Sequence, residues 1–118
     1  MKAPLIAALS LSASVAHAQG AQDIYDASFL GAYALGTTCA GQELQVDLMA
    51  DKIGIGETKC AISGVLTDGV GIILDLASCN AEGEPAEDRR VTLTLTEGGL
   101  TYDSTATGVT QLQRCTDR

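Results

Sequence analysis

The chain has no tryptophan, one phenylalanine (Phe29), two prolines and one histidine (His17) among its 118 residues. Each scarcity excludes something. A Ser-His-Asp or Cys-His arrangement needs an imidazole base, and His17 sits in an apolar N-terminal stretch that reads as a removable leader. No P-loop, no G-x-S-x-G elbow and no G-x-G-x-x-G between strand and helix occurs anywhere in the chain. Bases are scarce too: seven Lys and Arg face fifteen Asp and Glu, a net charge of −8. That balance argues against nucleic acid and anionic membrane surfaces as partners, since both demand clustered cations. Few large aromatics in so short a chain leave a modest core, so covalent cross-links would matter to its stability.

What is present begins with the leader. Met1-Lys2 is basic, Pro4 to Val15 is apolar, and Ala16-His17-Ala18 offers small residues at a cleavage site. This three-part pattern predicts a secretory signal peptide over residues 1–18, cut between Ala18 and Gln19. The apolar run is shorter than the ~20 residues a membrane-spanning helix needs, and no cysteine stands near the site for a lipid anchor. Residues 19–118 then form one small domain without a membrane anchor, in the periplasm of a bacterium or secreted from it. Lys2 leaves with the leader, so six bases remain against fifteen acids, a net charge of −9.

Four cysteines, Cys39, Cys60, Cys79 and Cys115, belong to this domain. An even count in a short exported chain reads as a disulfide framework, with three possible connectivities. Metal ligation fits poorly: no two cysteines have the close spacing of a zinc knuckle, and no histidine remains to complete one. The expected pairing is Cys39–Cys60 and Cys79–Cys115, one closed loop in each half. In the loop-entropy model these would contribute roughly 3 and nearly 4 kcal/mol.

The rest of the chain alternates. Val91, Leu93 and Leu95 interleave with three threonines, Glu97-Gly98-Gly99 turns the chain, and Leu100-Thr101-Tyr102 resumes the pattern. Glu43 to Leu48 and Lys52 to Gly56 make another pair, Lys59–Leu66 and Val70–Ala77 a third around Thr67-Asp68-Gly69, and Thr110 to Cys115 a last strand. Tyr25, Phe29 and Tyr33 recur every four residues, which predicts a short helix over Ile24–Leu30 packing its aromatics on the core as a plug before a strand at Gly31–Leu35. Ile72-Ile73-Leu74 suggests a strand covered on both faces, and Gly54 and Gly56 a bulge or sharp coil where the barrel bends. The fold class expected is all-β, an antiparallel meander of seven or eight short strands closed or partly closed into a small barrel with the last strand beside the first. A two-sheet sandwich is the alternative.

The stretch "FLGAYALGTTC", the alternating strands after it, Cys79, and a final strand ending "LQRC" resemble small periplasmic β-barrels of the calycin type. Some of those are similar in size to this chain and inhibit lysozymes or metalloproteases. Tyr33 stands where such barrels often carry a tryptophan. The resemblance implies a binding protein, and no inhibitory residues are carried over from it.

One loop is rich in charge. Asn80 to Arg90 holds Glu82, Glu84, Glu87 and Asp88. Its spacing is not that of a calcium loop, and Arg89 and Arg90 stand directly behind the acids to compete for them. It reads as a solvated hairpin loop and as the candidate partner-binding loop, together with residues 103–108. Carboxylate pairs alone are weak support for glycoside hydrolysis in a domain with so little room for a cleft. No catalytic residue, metal or cofactor is expected. The functional expectation is a small binding module for a cationic protein, inhibiting an enzyme such as a lysozyme or protease. The alternatives are a carrier of a small apolar ligand and an accessory protein of the cell envelope.

Overall fold

Where the sequence alternates, the strands pair. In the computed structural model, which describes residues 20–41 and 44–117, the chain forms helix α1 (Ala21–Ser28) and nine strands. These are β1 (Gly31–Ala34), β2 (Gln45–Leu48), β3 (Lys52–Ile55), β4 (Thr58–Asp68), β5 (Gly71–Ala81), β6 (Glu84–Pro85), β7 (Arg89–Thr96), β8 (Gly99–Ser104) and β9 (Gly108–Arg114). The expected cleavage site at Ala18 and Gln19, and His17, lie outside the described residues.

Eight strands close into an antiparallel barrel. Neighbours run β1-β2-β3-β4-β5-β7-β8-β9, and β9 returns to β1 through Tyr33 opposite Arg114 and Ala34 opposite Gln113. The short β6 is extra, pairing only with the end of β5. Closure, not a sandwich, removes the sheet's open edges.

Inward-facing positions follow the two-residue period. Val46, Leu48, Ile53, Ile55, Ile72, Leu74, Leu76, Val91, Leu93, Leu100, Tyr102 and Leu112 are buried in one core. The meander gives the barrel two unlike ends. Turns 49–51, 69–70 and 97–98 gather at one end, and turns 56–57, 82–88 and 105–107 at the other.

The first end is plugged by α1. Eight residues without a side-chain N-cap make a marginal helix alone, so tertiary contacts hold it. Tyr25 and Phe29, one turn apart, stack with ring centroids 6.1 Å apart and are both buried. Burying the Phe29 ring contributes about 1.5–3 kcal/mol. The Tyr25 hydroxyl donates to Met49 O at 2.7 Å, and Gln22 donates to Ala50 O. Thus the helix is tied to the β2–β3 turn and its aromatics pack on the core as the plug reading anticipates, although it spans Ala21–Ser28 and not Ile24–Leu30.

Arg114 locks the seam between first and last strands. It donates to Leu30 O at 3.0 Å and to the Tyr33 hydroxyl at 2.7 Å, and its guanidinium lies 4.8 Å from the Tyr33 ring centre. Tyr33 in turn donates to Phe29 O at 2.8 Å. Position 31 favours glycine because its φ of 144° is one that other residues rarely adopt, and a Cβ there would also push the Arg114 guanidinium aside.

The disulfides differ from the expected pairing. Cys39 bonds Cys115, and Cys60 bonds Cys79. Pairing by nearness along each half overlooks barrel closure, which brings the segment after β1 against the end of β9 and joins Cys39 to Cys115 with Cα atoms 5.5 Å apart. The tail is fixed further by Asp117, whose carboxylate accepts from the Cys39 and Ala40 amides at 2.9 and 3.1 Å. Cys60 and Cys79 lie on adjacent strands, opposite a bulge where the register slips between Lys59 and Ala61 and Ser78 takes φ 54°. The slip turns Cys79 inward to face Cys60. In the loop-entropy model, separations of 76 and 19 residues give roughly 4.5 and 3 kcal/mol.

Two smaller expectations also change. Gly54 pairs regularly with Asp47 and Lys59, and Gly56 lies in the turn after β3 with φ 60°, so the bulges belong to β4–β5 instead. Ile73 is only half-buried, because it lies on the outer face opposite exposed Leu66 rather than beneath the N-terminal segment.

Candidate functional site

The unplugged end carries the acidic loop. Asn80 to Pro85 make a tight hairpin, with β6 pairing Asn80 to Pro85 and Ala81 to Glu84. The Asn80 side chain accepts from the Gly83 amide at 2.9 Å, and Glu82 takes φ 53° at the tip. An asparagine side chain mimicking a backbone acceptor is ordinary turn chemistry. Beyond the hairpin the chain folds back: the Ala86 amide donates to Cys79 O at 2.8 Å and Ala86 packs on the core.

The four loop acids therefore divide. Glu82, Glu84 and Glu87 are exposed. Asp88 anchors the loop, its carboxylate accepting from the Cys79 amide at 3.3 Å. A fifth acid joins from another turn. Glu57, in the β3–β4 turn, lies beside Glu82, and the Glu82 carboxyl raises the Glu57 pKa above the usual carboxylate range. Nothing in the linear sequence marks this meeting, since it depends on strand pairing that sets Thr58 opposite Ala81.

The two arginines behind the loop do not compete for its acids. Arg90 points outward and grips Asp75 with two bonds, Nε to Oδ1 at 2.6 Å and Nη2 to Oδ2 at 3.2 Å. The contact raises the Arg90 pKa further. Arg89 takes the opposite face, in register with inward-facing Leu76 and two residues before buried Val91. Adjacent strand residues point to opposite sides, so once β7 begins at Arg89 the two arginines must separate.

Arg89 enters a polar part of the barrel lining. Tyr102 is 1% exposed and Ser104 2%. Thr110, paired with Tyr102, is half-buried on the same face. Burial pushes the Tyr102 phenol pKa up, while the nearby Ser104 hydroxyl and Arg89 guanidinium oppose the shift. No hydrogen bond reaches the Tyr102 hydroxyl or Arg89 Nε among the described residues. The one sign of this cluster in the sequence is the inward period Leu100, Tyr102, Ser104, which puts a serine where a hydrophobe would be expected.

Elsewhere the surface is simple. An open depression of about 300 Å³ lies outside the barrel over Gly31, Ala32, Asp47, Leu48 and Met49. The Cys39 and Cys115 sulfurs and the Asp117 carboxylate fall within 4.8 Å of one another, but both sulfurs are bonded in the disulfide and neither is a thiolate ligand. Among the described residues no helix is long and apolar enough to cross a membrane, and the two disulfides suit an oxidising compartment. The chain matches no protein-family model, no curated protein and no solved structure.

Proposed function

We propose that this chain is an exported, non-catalytic binding module that docks a cationic protein through the acidic rim of the unplugged end, inhibiting an enzyme such as a lysozyme or protease. One observation carries the reading: pairing of Thr58 with Ala81 sets the turn bearing Glu57 beside the acidic hairpin of Glu82 and Glu84, so acids from separate turns gather on one rim. A lysine or arginine of a partner would interact favourably with this clustered negative charge. Glu84 and Glu87 extend the same rim, and a disulfide just beneath it fixes the β4–β5 pair that presents it. A carrier of apolar ligands fits less well, because aliphatic side chains and three tyrosines already fill the barrel.

The test is a panel of cationic secreted lysozymes and proteases, measured for binding and inhibition at two salt concentrations. A cognate partner should associate faster at low salt. The quadruple variant Glu57→Gln, Glu82→Gln, Glu84→Gln, Glu87→Gln should slow that association about tenfold or more. A partner whose association is indifferent to both salt and these changes would remove the electrostatic reading.

A further inference from the structure

The polar lining beneath the mouth holds a guanidinium and two hydroxyls, and no carboxylate pairs with that guanidinium among the described residues. Arg89 Nε–H can only donate, and it is buried without a partner. The Ser104 oxygen already accepts from the Ala106 amide at 3.0 Å, which leaves its own proton to give. The Tyr102 hydroxyl, 1% exposed, is unpartnered. Buried groups left unsatisfied are costly, and all three here are completed by one kind of atom, an oxygen that accepts.

The charge is unbalanced in the same sense. Arg89 forms no ion pair among the described residues, whereas its neighbour Arg90 is fully engaged by Asp75. We infer that the Arg89–Tyr102–Ser104 nook binds a carboxylate group entering from the mouth. The edge of a guanidinium that includes Nε presents two parallel N–H groups, which match the two oxygens of a planar carboxylate. The lone pairs left on those oxygens then take the Tyr102 and Ser104 protons. Leu76, Val91 and Leu93 fill the barrel beside the nook, so the group is held only at the mouth end of the lining, as a small acid or as the end of a chain, and not as a bulky ligand. The site is separate from the acidic rim, and it stands or falls without a cationic partner.

The experiment uses the oxidised full chain labelled with ¹⁵N, at constant pH and ionic strength, with the Arg89 Nε–H resonance as reporter. Sodium formate and N-acetylglycine are titrated against sodium chloride. A saturable shift with either carboxylate and none with chloride is the expected result. Response to formate alone assigns a free small acid, and response to N-acetylglycine assigns a chain terminus. Tyr102→Phe should keep the shift but weaken binding about tenfold, since one hydrogen bond to a charged group is lost. As a readout independent of the resonance, formate should raise the melting temperature of the wild type and leave that of Arg89→Lys unchanged. No saturable shift, a shift equal to that with chloride, or unaltered binding in Tyr102→Phe would overturn the assignment.

Discussion

The two ends of the barrel solve the same problem differently. At the plugged end, α1 lays Tyr25 and Phe29 over the core and every buried hydroxyl finds a carbonyl: Tyr25 reaches Met49, and Tyr33 reaches Phe29 while accepting from Arg114. At the mouth no helix closes the barrel, the lining turns polar at Arg89, Tyr102, Ser104 and Thr110, and two of its buried polar atoms have no partner. Both ends are acidic at the surface, with Asp23, Asp26, Asp51, Asp68 and Glu97 around the plug. The difference lies in contact. Around the plug Asp26 accepts from Gln22, while at the mouth the neighbouring Glu82 raises the Glu57 pKa. A fully satisfied end supports stability, and an unsatisfied one is where binding energy is available.

The largest expected effect compares the disulfides. Replacing Cys39 and Cys115 together by alanine should lower unfolding free energy by roughly 4.5 kcal/mol, and the same change at Cys60 and Cys79 by about 3 kcal/mol, read from urea melts. Equal losses, or the reverse order, would show that loop length does not govern them. Next comes the plug: Phe29→Ala should cost about 3–5 kcal/mol, because it opens a cavity at the sealed end.

Tyrosines sharpen the contrast on a finer scale. Tyr25→Phe should cost about 1 kcal/mol by losing its bond to Met49, whereas Tyr102→Phe, in buffer without carboxylates, should be nearly neutral because its hydroxyl has no hydrogen-bond partner among the described residues. Burial raises the pKa of all three tyrosines, aided at Tyr25 by Asp26 and opposed at Tyr33 by Arg114. A folded-state pKa above the unfolded value means stability that is complete below the ordinary phenol range, near 10, and lost as pH rises through the folded values. Ultraviolet titration should therefore show ionisation arriving together with unfolding. Free titration of one tyrosine near pH 10 in the folded chain would contradict its burial.

The smallest effect belongs to Glu57. Its raised pKa favours the protonated form in the fold, so its stabilising contribution is present below the usual carboxylate range and fades as pH rises. Glu57→Gln should melt slightly higher than wild type at neutral pH and equally at pH well below that range.

Much of this architecture was legible in the sequence. The run Val91-Thr92-Leu93-Thr94-Leu95 marks β7 because a two-residue period fits only a strand with one buried face, and the four-residue spacing of Tyr25 and Phe29 marks the plug. Cysteine pairing was not legible, because Cys39 meets Cys115 only after the seam closes and Cys60 meets Cys79 only through the bulge at Ser78. The mouth was half legible. Its acids Glu82, Glu84 and Glu87 stand out in the sequence, but Glu57 arrives through strand pairing. In the sequence Arg89 belongs to the polar loop, and its inward direction follows only from β7 beginning at that residue.

The central claim is that the mouth is the working end. Its most direct test is a backbone amide shift map of the ¹⁵N-labelled protein titrated with a short polylysine peptide at low salt. The account predicts shifts concentrated at residues 56–58 and 80–88, with turns 49–51, 69–70 and 97–98 unmoved. Shifts centred on α1 and those three turns would place the cation-binding surface at the plugged end and contradict it.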